Sequence, residues 1–257
     1  MPKLVPLLLL ATVAGASAVW YFDLLRFFSP SPVSKVNFRD YAHGPTRAAD
    51  VRAALEPRLK EQLSILGLSF GSPVFIRAFK EEKELELWVQ ADDGSYHLFR
   101  NYPILATSGD PGPKLAEGDG QVPEGFYYVN ESRLNPASSY HLAFNIGFPN
   151  GYDRSHGRTG SFIMVHGRAV SVGCLAMGDP AIEEIFTLAA AGLEDGQPFF
   201  RVHIFPFRME EDAMTREAGG PHSDFWNNLK EGYDFFEEHR RPPNVAVENK
   251  RYTFTSE

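Results

Sequence analysis

Cysteine is nearly absent from this 257-residue sequence, which has Cys174 alone. A thiol-redox protein with no resolving cysteine would have to act through intermolecular disulfides. Basic residues are also scarce: 25 Lys and Arg face 33 Asp and Glu, for a formal net charge of −8. This balance argues against a nucleic-acid partner and against electrostatic capture by anionic lipids. Internal repeats are absent, and the glycines match neither a dinucleotide nor a P-loop pattern.

The N-terminal segment, residues 1–28, has the composition of an export signal. Lys3 is followed by an apolar run and by small residues at 16–18, the kind of site that signal peptidases cut. The nineteen uncharged residues from Leu4 to Phe22 are also long enough to remain as a membrane anchor, with Lys3 on the cytoplasmic side. Either outcome predicts that the rest of the chain lies outside the cytoplasm, where an unpaired thiol is a liability unless it is buried or has a function.

The remaining chain has enough apolar residues for a core, since 43% are hydrophobic and 13% aromatic. An apolar stripe over 46–66 predicts a helix kinked at Pro57, and Asp179-Pro180 is a typical helix start. A further helix is predicted at 223–239. Alternation and turn residues predict strands at 73–79, 84–90, 96–99, 102–107, 141–144, 162–165 and 199–205. We expect an α+β fold that is mainly β, with an antiparallel, barrel-like or sandwiched architecture and flanking helices.

The stretch Ser161–Met177, SFIMVHGRAVSVGCLAM, carries the chemistry. Phe162 to Val165 is an apolar run typical of a buried strand, and His166 follows it eight residues before Cys174. That spacing permits the imidazole and the thiol to meet across a tight connection. Histidine can take the thiol proton and return it to a leaving group, because only the thiolate attacks carbonyls well. The alternative is a small buried cysteine in a core strand.

The neighbours of Cys174 fit the catalytic interpretation. Gly173 leaves room for a substrate, and backbone N–H groups around Cys174 are candidates for an oxyanion site. Gly167 lets the chain turn after the predicted strand, and Ser171 is a candidate either to brace the loop or to orient the histidine. A zinc site from His156, His166 and Cys174 has no recognised ligand spacing, so we predict no metal and no cofactor.

The motif HGRAVSVGC resembles the HG…S-x-G-C signature of the YkuD-type L,D-transpeptidase catalytic domain, and MVHG-x4-S-x-G-C-x-AM is similar to its YafK-like branch. Four other stretches also resemble that branch: 72–89, 108–129, 135–160 and 202–209. The resemblance covers roughly residues 70–210. It divides the chain into a signal or anchor (1–28), a linker with an amphipathic helix (29–70), a catalytic domain (71–210) and a C-terminal helix and strand cap (211–257).

The resemblance implies an exported enzyme of the murein L,D-transpeptidase family, in which Cys174 is acylated by a peptidoglycan stem peptide and His166 is the proton donor and acceptor. It implies a role in cell-wall biogenesis and cell shape, in the periplasm of a Gram-negative-type envelope. Many members have histidine where this chain has Val172, and arginine where it has Ala176. The second difference removes a cation that would recognise a peptide carboxylate.

Other cations are therefore candidates for that carboxylate. Tyr152, Arg154 and Arg158 lie in a polar loop before the motif, and Arg208 follows the last strand of the domain. The alternative for the loop is an internal ion pair between Asp153 and one of its arginines. His156 also sits in an HG dipeptide, but His166 is preferred as the base because it ends an apolar strand.

Two directions of reaction stay open at this point. An amine acceptor makes the protein a transpeptidase, whereas water makes it an amidase, and YafK-like proteins are associated with hydrolysis of the diaminopimelate–lysine link to a wall-bound lipoprotein. Both share one acyl-enzyme. A hypothesis of another class is a non-catalytic peptidoglycan-binding module, which the complete set of His166, Ser171, Gly173 and Cys174 argues against.

Overall fold

The computed structural model describes residues 46–256. The predicted signal or anchor and most of the predicted linker lie outside this range. Between residues 46 and 256, no helix has both the length and the apolar character needed to cross a membrane.

A five-stranded sheet forms the centre of the fold, with the strand order β3-β2-β1-β9-β4. Its strands are β1 (Val74–Phe79), β2 (Glu84–Gln90), β3 (Tyr96–Pro103), β4 (Gly125–Val129) and β9 (Phe200–Phe205). All neighbours pair antiparallel except β1 and β9, which are parallel. Most neighbours in this sheet are therefore antiparallel, as expected, and the β1–β9 pair is the parallel exception.

A four-stranded sheet of short strands carries the candidate site, in the order β5-β6-β7-β8. Its members are β5 (Leu134–Asn135), β6 (Ala143–Asn145), β7 (Met164–His166) and β8 (Leu175–Ala176). A separate hairpin, β10 (Asn244–Glu248) with β11 (Arg251–Thr255), replaces the single C-terminal strand that the sequence suggested.

The described part of the chain contains five α-helices: α1 (Thr46–Ile65), α2 (Gly151–Ser155), α3 (Asp179–Glu194), α4 (Glu211–Arg216) and α5 (Ser223–His239). Helix α1 packs against α3 through its buried residues Val51, Leu59 and Leu63. Glu184 of α3 reinforces this contact, because it accepts from Arg58 at 2.7 Å. The predicted stripe ends early, since Leu66 lies beyond α1 and is exposed.

The second face of β2 is buried, although its alternation predicted a solvated one. Glu86 is almost fully buried and pairs with Arg77 of β1 at 2.8 Å. Arg77 also reaches Glu237 of α5 at 2.6 Å and lies over the Phe236 ring. Helix α5 thus covers this face, and an ion pair between neighbouring strands satisfies charges that we expected water to solvate.

A second buried ion pair ties the loop between β3 and β4 to the sheet. Lys80 follows β1 and donates to Glu124 at 3.0 Å and to the carbonyls of Gly112 and Val122. The other oxygen of Glu124 accepts from the Trp226 indole of α5 at 2.8 Å. This network fixes a glycine-rich and proline-rich loop that the sequence left without regular structure, and that loop reaches the candidate site.

His203, on β9, is buried between the rings of Phe75 and Phe126, and neither of its ring nitrogens has a hydrogen-bond partner among residues 46–256. Burial holds the pKa of His203 well below its ordinary value, and the charges of Arg201 and Arg77 lower it further. His203 is therefore a residue of the core.

The free energy of unfolding should therefore fall as the pH drops below about 6.5, since the unfolded chain binds a proton at His203 that the folded chain excludes. Each such histidine contributes up to about 1.4 kcal/mol per pH unit. We expect His203→Leu to flatten the pH dependence measured by urea denaturation between pH 7 and pH 5. His166 contributes in the same direction in the parent protein and in His203→Leu, so the difference between their two curves reports on His203 alone. Parallel curves for the two proteins would contradict this account.

Candidate active site

The pairing of β7 with β8 places His166 and Cys174 on one face of the small sheet. The strands are parallel, with Val165 opposite Leu175 and His166 opposite Ala176. Cys174 immediately precedes β8, and its Sγ accepts from the Met164 N–H at 3.3 Å. Side chains two residues apart in a strand share a face, so His166 lies on the same side as Met164. Both side chains line one cleft with Cys174.

The connection between these strands is unusually short. Only residues 167–174 join β7 to β8, whereas parallel neighbours commonly need a dozen or more. Gly167 makes the turn possible: a Cβ there would lie 2.6 Å from Asp179 Oδ1 and 2.8 Å from the Tyr140 carbonyl oxygen. Asp179 was predicted as the N-cap of its helix. Gly178 takes that position instead, and the Asp179 carboxylate accepts from the Arg168 N–H at 2.7 Å.

The hydrogen bond of His166 fixes the form of its imidazole. Nδ1 lies 2.6 Å from the Gly167 carbonyl oxygen. A carbonyl oxygen can only accept, so Nδ1 carries the proton and Nε2 of the neutral ring carries the lone pair. Tyr140 packs against the ring, with 4.8 Å between centroids. Burial lowers the pKa of His166, and the bond to Gly167 offsets this only in part. The ring is therefore neutral at pH 7 and able to accept a proton.

The thiol of Cys174 is also uncharged in this state. Burial raises its pKa above the ordinary value, against smaller lowering effects of the Met164 N–H and the Lys114 charge. Sγ is 3.3 Å from Met164 N and 3.7 Å from the Phe162 carbonyl oxygen. Neither contact involves His166. The two groups share a cleft without a hydrogen bond between them, as in many apo sites whose catalytic contacts tighten on binding substrate.

The two backbone N–H groups beside the thiol each donate a hydrogen bond to a serine hydroxyl. The Cys174 N–H donates to Ser171 Oγ at 3.1 Å, so Ser171 braces the loop. The Gly173 N–H donates to Ser108 Oγ at 2.7 Å, and Ser108 in turn donates to the Gly120 carbonyl at 2.6 Å. The amides predicted as an oxyanion site therefore already have neutral acceptors, which a negatively charged oxygen can replace.

Two clefts meet at Cys174. The first cleft, of about 350 Å³, is lined by Tyr140, Met164, His166, Ser171 and Cys174, among others. The second cleft, of about 210 Å³, is lined by Lys114, Glu117, Gly118, Ser161 and Cys174, among others. Phe162 and Val172 belong to both clefts and form the walls beside the thiol.

Phe162 has an unusual backbone for its type. Its φ of 54° lies in the left-handed region, and its ring is 76% exposed. A bulky residue in that region is strained by roughly 1–2 kcal/mol, and such strain concentrates at functional sites. The sequence assigned Phe162 to a buried strand, but β7 begins only at Met164.

The other predicted contacts lie outside both clefts. Arg158 is buried in an ion pair with Asp153 at 2.9 Å and lies over the Tyr152 ring, which is the alternative that the sequence left open. Arg154 is exposed and donates to the Pro149 carbonyl. Arg208 pairs with Glu84 at 2.6 Å and Glu86 at 2.7 Å.

His156 stacks on Tyr152, with 4.1 Å between ring centroids, and is not among the cleft residues. Within 46–256, no group of three or more His, Cys, Asp or Glu side chains could hold a metal ion.

Comparison with known proteins gives a family match over this region. Residues 75–204 match the YkuD L,D-transpeptidase catalytic domain. An Escherichia coli (strain K12) protein named "Putative L,D-transpeptidase YafK" is 49% identical over 182 residues, which are 71% of this chain and 74% of that protein. This chain belongs to the YkuD L,D-transpeptidase family. The recognition made from the HG…S-x-G-C motif is therefore confirmed, as is the α+β fold class.

Two solved structures of the helical cell shape determining protein Pgp2 from Campylobacter jejuni are also similar. The K307A mutant is 21% identical with a TM-score of 0.43, over 69% of this chain and 63% of that one. The other is 19% identical with a TM-score of 0.42, over 74% of this chain and 80% of that one.

The YkuD motif accounts for His166, Ser171, Gly173 and Cys174, but other site residues escaped sequence reasoning. Ser108 and Lys114 lie about sixty residues before the nucleophile, in a loop that is rich in glycine and proline and has no regular periodicity. The available signal was the loop's position before a strand near the cleft. It did not identify which side chains turn inward.

The state of the thiol can be tested by alkylation. Because the pKa of Cys174 is raised and no hydrogen bond links it to His166, we expect the iodoacetamide rate to rise with pH without a plateau below pH 9. His166→Gln should give nearly the same curve, with Cys174→Ser as the blank. A plateau near pH 7 that disappears in His166→Gln would instead demonstrate a preformed thiolate–imidazolium pair.

The packing at Gly167 predicts a stability effect. We expect Gly167→Ala to lower the free energy of unfolding by about 1–3 kcal/mol, because the new Cβ meets Asp179 Oδ1 at 2.6 Å and the Tyr140 carbonyl oxygen at 2.8 Å. Gly151→Ala is the matched control, since its Cβ would meet nothing nearer than Val247 at 3.7 Å. Chemical denaturation of both variants measures the difference. Equal stabilities would overturn the role given to Gly167.

Proposed function

We propose that this YkuD-family protein is an exported, cysteine-dependent peptidoglycan enzyme that forms a thioester between Cys174 and the L-centre carbonyl of diaminopimelate in a stem peptide. The observation that carries the proposal is the shared first cleft of His166 and Cys174, with Nδ1 of His166 bound to a carbonyl and Nε2 available as a base. We place the enzyme in the periplasm, with or without an N-terminal anchor.

The first half-reaction makes the acyl-enzyme. His166 Nε2 takes the Sγ proton as the thiol turns from Met164 toward the imidazole, and the thiolate attacks the carbonyl carbon. The Gly173 and Cys174 amides hold the resulting oxyanion in place of the serine hydroxyls. The C–N bond breaks as His166 returns the proton to the leaving amine, so the thioester forms and the imidazole is neutral again.

The second half-reaction decides the product. His166 removes a proton from the incoming nucleophile, which attacks the thioester and releases Cys174 as a thiol. An amine from a second stem peptide gives a cross-link, and water gives hydrolysis. Because His166 lines only the first cleft, the leaving amine and the incoming nucleophile both occupy that cleft, and the acyl group occupies the second.

One observation favours hydrolytic release of a protein from the wall as a second candidate function. The rim of the first cleft carries exposed apolar side chains: Tyr140, Phe162, Val170 and Val172, with exposures of 44%, 76%, 61% and 82%. Clustered exposed apolar groups are typical of sites that bind another chain. A D-alanine leaving group uses none of this surface, whereas a lysine within a lipoprotein segment would cover it.

The assay uses two substrates with the full chain: a tetrapeptide stem with a free stem acceptor, and a tripeptide stem bonded to a lysine peptide. We expect a Cys174-dependent product from at least one, read by mass spectrometry. His166→Gln should lower the rate by about 10²–10⁴-fold, because the proton transfer is lost. The acid limb of the rate profile should lie below pH 6.5, since the pKa of His166 is lowered and the ring stays neutral to a lower pH.

Cys174→Ala is the blank, and His156→Gln is the matched histidine control because His156 is exposed and outside both clefts. Exchange or cross-linking assigns transfer, and release of the lysine peptide with incorporation of water assigns the amidase. If neither substrate gives a product and Cys174→Ala behaves like the parent, the enzyme proposal fails and the binding-module hypothesis gains support.

A further inference from the structure

Charge is distributed unequally between the two clefts. Of the described residues that line them, the only Lys, Arg, Asp or Glu side chains are Lys114 and Glu117, and both belong to the second cleft. The first cleft has the His166 imidazole and the Tyr140 phenol as its titratable groups besides the shared thiol. A positive and a negative side chain therefore line the cleft that His166 does not line.

The stem of Lys114 has a fixed path. Gly160 makes room for it, because a Cβ at that position would lie 2.8 Å from Lys114 Cε. The ammonium also lies 5.9 Å from the centre of the Phe148 ring. Only 4% of Lys114 is exposed, so its charge lies at the cleft wall on a packed side chain rather than on a mobile one.

The ammonium keeps one donor for a ligand. It donates to Asp119 Oδ1 at 2.5 Å and to the Ala116 carbonyl at 2.9 Å. An ammonium has three N–H donors, and the described residues supply no acceptor for the third. A buried cation with an unused donor at a cleft wall is well placed to bind an anion, because the low local dielectric strengthens the contact.

Asp119 holds the loop as well as pairing with Lys114. Its carboxylate also accepts three backbone N–H groups, from Leu115, Ala116 and Gln121. Burial raises the pKa of Asp119, but these bonds together with the one from Lys114 outweigh it and hold the pKa at about 2. The same bonds set the shape of the loop that carries both Lys114 and Glu117.

We propose that the second cleft binds the free amino-acid end of the diaminopimelate side chain, with its carboxylate on Lys114 and its ammonium facing Glu117. This inference rests on the proposed function, which puts the acyl group in the second cleft. The side-chain end of diaminopimelate is a zwitterion, so it matches one cation and one anion in the same cleft. Lys114 thereby supplies the cation that Ala176 does not.

The test compares two stems that differ at one group. A tetrapeptide stem with meso-diaminopimelate carries the side-chain carboxylate, and the same stem with L-lysine keeps the amine but lacks the carboxylate. We expect the full-length protein to favour the diaminopimelate stem by about 10- to 100-fold in kcat/KM, the range of a charge-assisted hydrogen bond. Lys114→Met should abolish this preference by slowing the diaminopimelate stem more than the lysine stem, because the loss of the Lys114 charge near the Cys174 thiol affects both stems equally. Lys114→Arg should retain part of the preference.

Lys230→Met is the matched control, because Lys230 also pairs with an aspartate, Asp234 at 2.6 Å, and lies outside both clefts. A diaminopimelate stem whose side-chain carboxylate is amidated should behave like the lysine stem. A stem amidated at the isoglutamate α-carboxylate should behave like the parent stem. If only amidation of the isoglutamate α-carboxylate lowers the rate, Lys114 binds that carboxylate and the proposal is overturned.

Calorimetric binding to Cys174→Ala separates this proposal from the proposed function. Tighter binding of the diaminopimelate stem that is lost in Lys114→Met/Cys174→Ala supports the site, even if the parent turns over neither stem. Equal binding of the two stems to Cys174→Ala overturns the site, even if turnover is found. A Lys114→Met variant that slows both stems equally, so that the preference is unchanged, assigns Lys114 to the loop or to the electrostatics of the Cys174 thiol and also overturns the proposal.

Discussion

The parallel pairing of β7 with β8 is the constraint on which the candidate site depends. Two strands of three and two residues run side by side, joined by residues 167–174. This pairing puts the base at the end of one strand and the nucleophile just before the next, on one face. Glycine at position 167 lets the loop between β7 and β8 pass close to Asp179 and Tyr140. Without that close approach, the connection would have to lengthen, and the imidazole and thiol would no longer share a cleft.

Burial opposes charge on both proposed catalytic groups, and this has a mechanistic consequence. The pKa of His166 is lowered and that of Cys174 is raised, so both groups are neutral before substrate arrives. In the oxidising compartment that the proposed export implies, an unpaired cysteine is vulnerable, and a reactive thiolate therefore need not persist there. Charge develops only when a carbonyl carbon is present to be attacked. The braced amides of Gly173 and Cys174 then supply donors in fixed positions.

The sequence predicted the family, the fold class, most helices and most strands of the larger sheet, because these follow from local motifs and apolar periodicity. Glu86 escaped prediction because it is satisfied by Arg77, a partner on a neighbouring strand that periodicity cannot reveal. Arg158 was a plausible substrate contact by charge alone, yet its partner Asp153 is five residues away and both are buried. Ser108 and Lys114 depend on how a long loop folds back, which the buried Lys80–Glu124 pair and the Asp119 carboxylate determine.

The catalytic residues do not by themselves determine whether the proposed enzyme transfers or hydrolyses. His166 activates whatever nucleophile occupies the first cleft, so the outcome depends on what fills that space after the leaving group departs. Its exposed apolar rim offers contact area but no formal charge to hold a second stem peptide. The charged groups lie in the second cleft, where they would select the acyl donor. Such an enzyme would be selective for the stem peptide that acylates Cys174 and permissive about the nucleophile. Water therefore competes unless an acceptor covers the rim.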